Sequence, residues 1–479
     1  MIALFLTLAL QGVSQDSEAF YYRVESFVPP PGVVLEVSGI TTLPDGRPMV
    51  CTRRGQVFVV DDAYGAEPVF KLFVEGLQEP MGLLPKDGWI YVTQRAELSR
   101  MRDVDGDDRM DELETICDAW NISGNYHEYN FGPVLADDGN FWITTNRPFG
   151  DEPFGHQKWR GFALRISPDG VMKPMCAGLR SPAGIAKSPW GQLFYTDNQG
   201  EWVGTGKLSV LVDGGFYGHP WGIFSCADPL WTFERPREPP NEVKCFEVRA
   251  TCPTYELPVV WFPYDKTGRS QCGFVWDTTD GKFGPFAGQL FIGDQYQASV
   301  VRVALDQVEG RWQGAVFPFR KGLASGVIRV GWDAHGGLLC GETDRGWGSL
   351  GTKPWGLERL TWTGETPFEI LAMRARPDGF ELEFTRELDV ELAATVSSWR
   401  FESYTYLHHE QYGSDEVDRG TPSVRAATVT DDRRRVRLTV DDLRAGYVHE
   451  LHADGVRDAR GAKLLHADAY YTLNAIPRR

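Results

Sequence analysis

The sequence predicts an all-β fold, and three observations carry that reading. The chain of 479 residues holds 52 glycines and 13% aromatic residues, a composition of short strands and tight turns rather than long helices. A turn glycine followed by an apolar, often aromatic strand recurs at Gly46 (GRPMVCT), Gly88 (GWIYVTQ), Gly139 (GNFWITT), Gly191 (GQLFYTD), Gly288 (GQLFIGD) and Gly337 (GLLCGET). A partner strand precedes the turn, as in SGITTLP, MGLLPK, NFGPVLA, AGIAKSP and VIRVGWD. The repeating unit is therefore an antiparallel pair joined at a glycine.

The turn glycines stand 42, 51, 52, 97 and 49 residues apart, mostly near the roughly 40–50 residues of a four-stranded propeller blade. One such sheet cannot bury both of its faces, so neighbours must stack around an axis. This predicts a β-propeller over residues 19–363 with six blades. The double-length gap is assigned to an insertion rich in Pro and Trp between Gly218 and Pro263, and a seventh blade in that gap is the competing count. After Thr366 the pattern changes to strands of period two, GFELEFT and VRLTV, which predict a C-terminal Ig-like β-sandwich over 367–479.

A formal net charge of -17 argues against nucleic acid or an acidic membrane as a partner. It leaves room for bound cations or for a basic electron-transfer or structural partner. The apolar run Ile2 to Leu10 is shorter than the roughly 20 residues of a spanning helix. It reads as the core of a secretory signal, residues 1–14, which places the mature chain in the periplasm or outside the cell; the alternative is a hydrophobic N-terminal strand. Eight cysteines fit an oxidising compartment. None forms CxxC or CxxCH, so neither a thioredoxin-like site nor covalent c-type haem is written here. Cys226, Cys245 and Cys252 lie in the insertion and are candidates for a local bridge.

The first candidate site is Asp103 to Glu114, DVDGDDRMDELE. Calcium takes six to eight oxygens, and Asp103, Asp105 and Asp107 offer carboxylates at alternating positions. The Arg109 carbonyl, Asp111 and Glu114 follow at loop positions seven, nine and twelve of an EF-hand-like pattern. Asp108 stands where that loop has glycine, and the competing reading is a solvated acidic turn. The second candidate is His127, in the loop of GNYHEYNFGPVLADDGNFWITTN, Gly124 to Asn146. The third lies in Gly178 to Gly222, where Arg180 precedes a blade strand that empties into Asp197-Asn198-Gln199-Gly200-Glu201. Polar loops at a propeller mouth are where ligands meet the axial channel. Lys266 and Arg269, in FPYDKTGRS, either line that mouth or solvate a loop. His156 and His219 are secondary candidates. The tryptophans Trp142, Trp159 and Trp221 read as blade packing, and the five C-terminal histidines show no ligand spacing.

These residues carry a resemblance. GLRSPAGIA, followed by a strand, a polar loop and GGFYGHP, is similar to the soluble PQQ-dependent glucose dehydrogenases and the wider glucose/sorbosone dehydrogenase propellers. With GNYHEY, GKFGPFAGQLFIGDQ and the C-terminal sandwich, the chain resembles exported bacterial proteins grouped as membrane-bound dehydrogenases. The resemblance implies oxidation of a sugar or other alcohol with PQQ and calcium, and a cytochrome or quinone as electron acceptor. It implies that His127 is the general base, taking a hydroxyl proton while hydride passes to PQQ, with Arg180 beside cofactor and substrate. Gln199 and Gly200 would offer the calcium-ligating carbonyls, Arg329 would hold the anionic cofactor, and Arg269, Lys266 and Asn198 would surround it. The chain departs from that pattern in lacking the proline after Gly200. It also has Asn146 and Arg147 where relatives carry a carboxylate. The alternative is a non-redox propeller, either a calcium-dependent lactonase or lyase, or a glycan-binding module.

Overall fold

The computed structural model of the chain describes residues 17–150 and 157–478; the signal segment and His156 lie outside them. The mostly β architecture is propeller-like. Five consecutive antiparallel sheets begin at Val37–Thr42, Leu83–Lys86, Asn130–Leu135, Pro182–Lys187 and Gln271–Trp276. A sixth joins Val327–Trp332, Leu338–Thr343 and Trp355–Trp362. The sixth sheet takes its outer strand from the other end of the chain: Tyr22–Ser26 pairs antiparallel with Trp355–Trp362. The first strands of the six sheets touch one another in a closed ring, the last against the first.

Every glycine turn of the repeat leads into the second strand of one of these sheets. Pro48–Thr52, Phe141–Thr145, Leu193–Asp197, Leu290–Asp294 and Leu338–Thr343 are buried along their whole length, because sheets cover them on both faces. Outer strands such as Val69–Val74 and Glu112–Cys117 are largely exposed. Each junction between neighbouring sheets has its own apolar filling. Val37 and Phe58 meet Leu339 and Leu357 across the closure, and Phe194 and Leu208 meet Phe274 and Ile292 between the fourth and fifth sheets. A fully buried side chain of this size contributes about 1.5–3 kcal/mol, so the ring is held by many similar interfaces.

The long gap in the repeat falls inside the fourth sheet, between Gly206–Val210 and its last strand Val260–Phe262. The intervening chain carries the 3-10 helices Pro220–Ala227 and Cys245–Ala250 and one short strand, Val243–Lys244, which pairs with Leu407–His408. The bridge expected among Cys226, Cys245 and Cys252 is not formed: all eight cysteines are buried free thiols. Cys226 and Cys252 pack in one apolar cluster and Cys245 in another. Burial pushes the Cys226 and Cys245 thiols up to about 12.

The C-terminal strands are not strung on a loose linker. The fifth sheet runs on through Arg311–Arg320 to Asp468–Leu473, Tyr447–His452, Arg400–Thr405 and Val417–Gly420. A second sheet, Ile370–Arg376, Gly379–Phe384, Arg435–Val440 and Val424–Val429, packs over it. Ala315 and Phe317 of the fifth sheet join Phe380, Leu382, Val436 and Tyr471 in a shared core. No helix among the described residues is long and apolar enough to cross a membrane.

Candidate active site

Four of the six inner strands carry glycine where they crowd the axis, Gly39, Gly132, Gly184 and Gly273, and Gly82 immediately precedes a fifth. A Cβ on Gly82 would lie 2.0 Å from the Gly132 carbonyl oxygen, and one on Gly184 would lie 2.3 Å from that of Cys272. Only glycine lets the strands approach this closely. In the sixth strand the position is Arg329, and its side chain fills the space the glycines leave. Its Nε donates to the carbonyls of Ser38 (2.8 Å) and Met81 (3.3 Å), and its Nη1 to those of Ala183 (2.7 Å) and Ile328 (2.5 Å). Its guanidinium carbon lies 4.5 Å from the Phe131 ring centroid. Arg329 thus touches carbonyls from four sheets and closes the axis, a structural plug rather than the expected cofactor clamp. Burial lowers its pKa to about 10.

On the side where the inner strands begin, a cleft of about 280 Å³ is lined by His127, Arg180, Ser181, Asn198, Gln199, Arg269 and the aromatic rings of Phe149, Tyr264, Tyr296, Trp347 and Tyr412. Five expected site residues therefore meet in one place. His127 is set by its own loop. The Asn125 side chain accepts from the His127 amide (3.0 Å) and donates to the Phe149 carbonyl (2.9 Å). The Glu128 carboxylate gathers the amides of Ser123 (2.8 Å) and Gly124 (3.1 Å). The imidazole stacks on Phe149 with ring centroids 3.4 Å apart.

The partners of the imidazole determine its tautomer. Nδ1 lies 2.9 Å from the Arg147 carbonyl, which can only accept, so Nδ1 carries the proton. Nε2 is then a lone pair, 3.2 Å from the Ser181 hydroxyl, which donates to it and accepts from the Asn146 amide at 3.3 Å. Burial, helped by the positive charges of Arg180, Arg345 and Arg147, holds the His127 pKa well below the usual imidazole value. The histidine is a neutral base that faces a hydroxyl. Asn146 and Arg147 orient this pair.

Arg180 is almost wholly buried. Its Nε and Nη2 bind Glu201 at 2.9 and 2.8 Å, and Glu201 also takes Arg147 at 2.7 Å. Burial raises the Glu201 carboxyl, but the two arginines outweigh it and leave the pKa lowered. Arg269 pairs with Asp265 and lies 4.0 Å from the Tyr296 ring centroid. Arg345 lies over Tyr129 at 4.0 Å and near Trp347 at 5.0 Å, with its Nε and Nη2 buried and without a hydrogen-bond partner among the described residues. The mouth is therefore cationic and aromatic in an acidic chain.

Four expected ligands are engaged elsewhere. Lys266 binds Glu416 (2.8 Å) and Glu450 (2.6 Å) of the C-terminal strands and stays out of the cleft. The Gly200 carbonyl accepts from the amides of Val203 (3.0 Å) and Gly413 (3.1 Å), so it is already doubly engaged. In the acidic loop, Asp103, Asp105 and Asp111 bring carboxylate oxygens within 4.8 Å of one another. Asp107 instead caps the Arg109 amide at 2.8 Å, and Glu114 pairs with Arg100 at 2.6 Å. His219 caps the Pro220–Ala227 helix through the Trp221 amide (3.1 Å).

The sequence does not single out three residues that line the cleft, Ser181, Trp347 and Tyr412, or two beside it, Asn125 and Arg345. A signal for the first was present. The pairs Arg180-Ser181 and Arg269-Ser270 each end three residues before an axial glycine. In both, a strand-terminal aspartate takes the two amides: Asp197 those of Arg180 and Ser181 (3.1 and 2.6 Å), Asp294 those of Arg269 and Ser270 (2.8 and 2.7 Å).

Comparison with known proteins follows the scaffold. Residues 45–213 match a domain family of unknown function, DUF7133, and no curated protein matches the sequence. A solved oxidoreductase named glucose dehydrogenase, from Thermus thermophilus, is similar at TM-score 0.50 and 19% identity, over 71% of this chain and 99% of its own. A second glucose dehydrogenase is similar at TM-score 0.50 and 17% identity, over 70% and 98%. A Trichoderma reesei member of carbohydrate-active enzyme family AA12 gives TM-score 0.50 and 13% identity, over 71% and 96%. The chain thus has a glucose/sorbosone dehydrogenase-like fold, a likeness of scaffold at identities too low to carry the chemistry.

Proposed function

We propose that the protein is an exported oxidoreductase that oxidises a sugar or other alcohol with PQQ, on a six-bladed propeller of residues 19–363 followed by an Ig-like β-sandwich of residues 367–479. Six sheets whose first strands close a ring support the blade count. The two packed C-terminal sheets support the sandwich, and the apolar run in residues 1–14 supports export to the periplasm or beyond. The observation that carries the chemistry is His127, with Nδ1–H on a carbonyl and Nε2 a lone pair at the cleft wall that, among the described residues, accepts only from the Ser181 hydroxyl.

The cleft residues fit a flat anionic quinone. Arg180 and Arg269 offer guanidinium groups for carboxylates, and Trp347, Tyr296 and Tyr412 offer ring faces, with Arg345 behind Trp347. When bound, PQQ supplies a two-electron hydride acceptor. His127 Nε2 takes the proton of the substrate hydroxyl as hydride leaves the carbinol carbon, so the alcohol loses two electrons and two hydrogens in balance. Arg147 keeps the imidazole oriented through its carbonyl, and Glu201 offsets the charges of Arg180 and Arg147 beside it. The electrons pass on to a cytochrome or quinone. Because the Gly200 carbonyl is engaged by two amides, no step is assigned to a metal at Gln199 and Gly200. Calcium is assigned to Asp103, Asp105 and Asp111 in a structural role; chelation should lower Tm in the wild type and leave Asp105→Asn unaffected.

Reconstitution with PQQ tests the main reading. We expect a change in the cofactor spectrum and dye reduction across part of a panel of sugars and alcohols; no spectral change and no reduction would remove it. One observation favours a second reading, a non-redox hydrolase: Ser181 Oγ lies 3.2 Å from His127 Nε2, the spacing of an activated nucleophile. The lactonase arrangement of carboxylates around an axial metal is not built by the described residues, since Arg329 takes the axis. Turnover of esters or lactones without PQQ would favour this second reading.

A further inference from the structure

The loop 409–416 of the C-terminal strands lies directly on the propeller loop 199–204. The Trp202 amide donates to the His409 carbonyl (2.8 Å), Gly413 to Gly200 (3.1 Å) and Ser414 to Gly204 (2.7 Å), and Glu201 pairs with Tyr412 in an antiparallel bridge. Glycine makes this contact possible. Gly413 has φ +67°, and a Cβ there would lie 2.7 Å from the Gln199 amide group; a Cβ on Gly204 would lie 2.8 Å from Tyr406. The docked loop carries Tyr412, 66% exposed, whose ring centroid lies 5.2 Å from the Arg180 guanidinium carbon.

Tyr412 is a partition. On one side is the cleft with His127; on the other is a second depression of about 660 Å³, and Gln199, Tyr264 and Tyr412 line both. Gln411, Asp415 and Arg419 add donors and acceptors to the second depression. Its charges are matched apart from Asp415: Glu416 pairs with Lys266 (2.8 Å) and Arg419 (3.3 Å), and Arg419 with Glu402 (2.8 Å). Exposed tyrosine faces beside side chains of both hydrogen-bonding senses suit rings that are apolar on their faces and hydroxylated at their edges. Paired charges and one carboxylate unpaired among the described residues, Asp415, select against a strongly anionic ligand.

We propose that the second depression is a subsite for the non-reacting residues of a neutral oligosaccharide, one end of which enters the His127 cleft. The proposal rests on the carbohydrate reading of that cleft. It gives the C-terminal strands a role: they lengthen the site, and remote binding energy serves the reaction at the far end.

Calorimetry on the whole chain without PQQ tests it, using cello-, malto-, xylo- and manno-oligosaccharides of one to six residues. At least one series should tighten tenfold or more between monosaccharide and tetrasaccharide, and Gln411→Ala with Asp415→Asn should cut that gain at least fivefold. Affinity independent of length in all four series, or a gain unchanged in the double variant, would overturn the subsite. PQQ-dependent oxidation of a monosaccharide reports separately on the cleft, so the two readings fail independently.

Discussion

On the side where the six inner strands begin, the ring opens into a cleft lined by His127, Arg180, Asn198 and Arg269. On the side where they run out, it ends in a cavity of about 320 Å³ lined by Ile40, Leu84, Pro133, Ile185 and Phe274, with axial glycines between them. The same strands build both mouths, and Arg329 separates them. The difference follows from the connections. At the apolar mouth most inner strands return through tight glycine turns, such as the one closed by the Gly46 amide on the Leu43 carbonyl at 2.9 Å, which leave no length for polar side chains to converge. At the other mouth long loops enter the inner strands and leave the second ones, and buried carboxylates such as Asp197 and Asp294 pin their amides. Polar side chains collect where the chain has slack and the scaffold can still fix it.

If the loop-side mouth alone is chemical, His127→Gln should lower PQQ-dependent dye reduction by about 10²–10⁴-fold while circular dichroism stays native. Because the folded pKa of His127 is depressed, the acid limb of kcat/KM should fall below the usual imidazole value of about 6.5; a limb at or above it would break the assignment. The plug ranks next. Arg329→Met strips hydrogen bonds from four carbonyls and should cost about 3 kcal/mol or more, a Tm drop on the order of 5–10 °C. An unchanged Tm would mean that the axis does not need closing. At the apolar mouth, Phe274→Leu should cost about 1–2 kcal/mol and leave turnover within about twofold, measured by urea unfolding and dye reduction.

The smallest effect concerns pH. His466 binds Glu369 (2.7 Å) and Glu18 (3.0 Å), tying the start of the propeller to the C-terminal strands. Burial lowers its pKa, but the two carboxylates outweigh that and raise it to about 9. A raised folded pKa contributes stability that is whole below about pH 6.5 and is lost as pH rises through 9. Tm should therefore sag by roughly 2–4 °C between pH 7 and 9.5 in the wild type and less in His466→Ala. His449, pushed down to about 3 by burial, works in the opposite sense: its contribution is present above about pH 6.5 and fades as pH falls toward 3.

Much of the scaffold was legible because its signal is local and repeated. A turn glycine and a buried second strand recur within a few residues of each other, and each found its place. That His127 and Arg180 share one cleft follows from the same units, since each stands at the loop end of one. Arg329 was misread because its role depends on five glycines spread across the other sheets, and no single segment announces the space they leave. Lys266 and Gly200 were misassigned for a related reason: their partners, Glu450 and Gly413, lie more than a hundred residues away in strands that read as a separate module. Ser181 needed only the match between Arg180-Ser181 and Arg269-Ser270, each set before an axial glycine.

A crystal structure of the chain soaked with PQQ and a turned-over sugar would test the difference between the mouths most directly. The account predicts the quinone in the loop-side cleft, in contact with Arg180 or Arg269, and a sugar hydroxyl within hydrogen-bond distance of His127 Nε2. PQQ in the apolar cavity beyond Arg329, or a sugar hydroxyl held by Ser181 with His127 turned away, would contradict it.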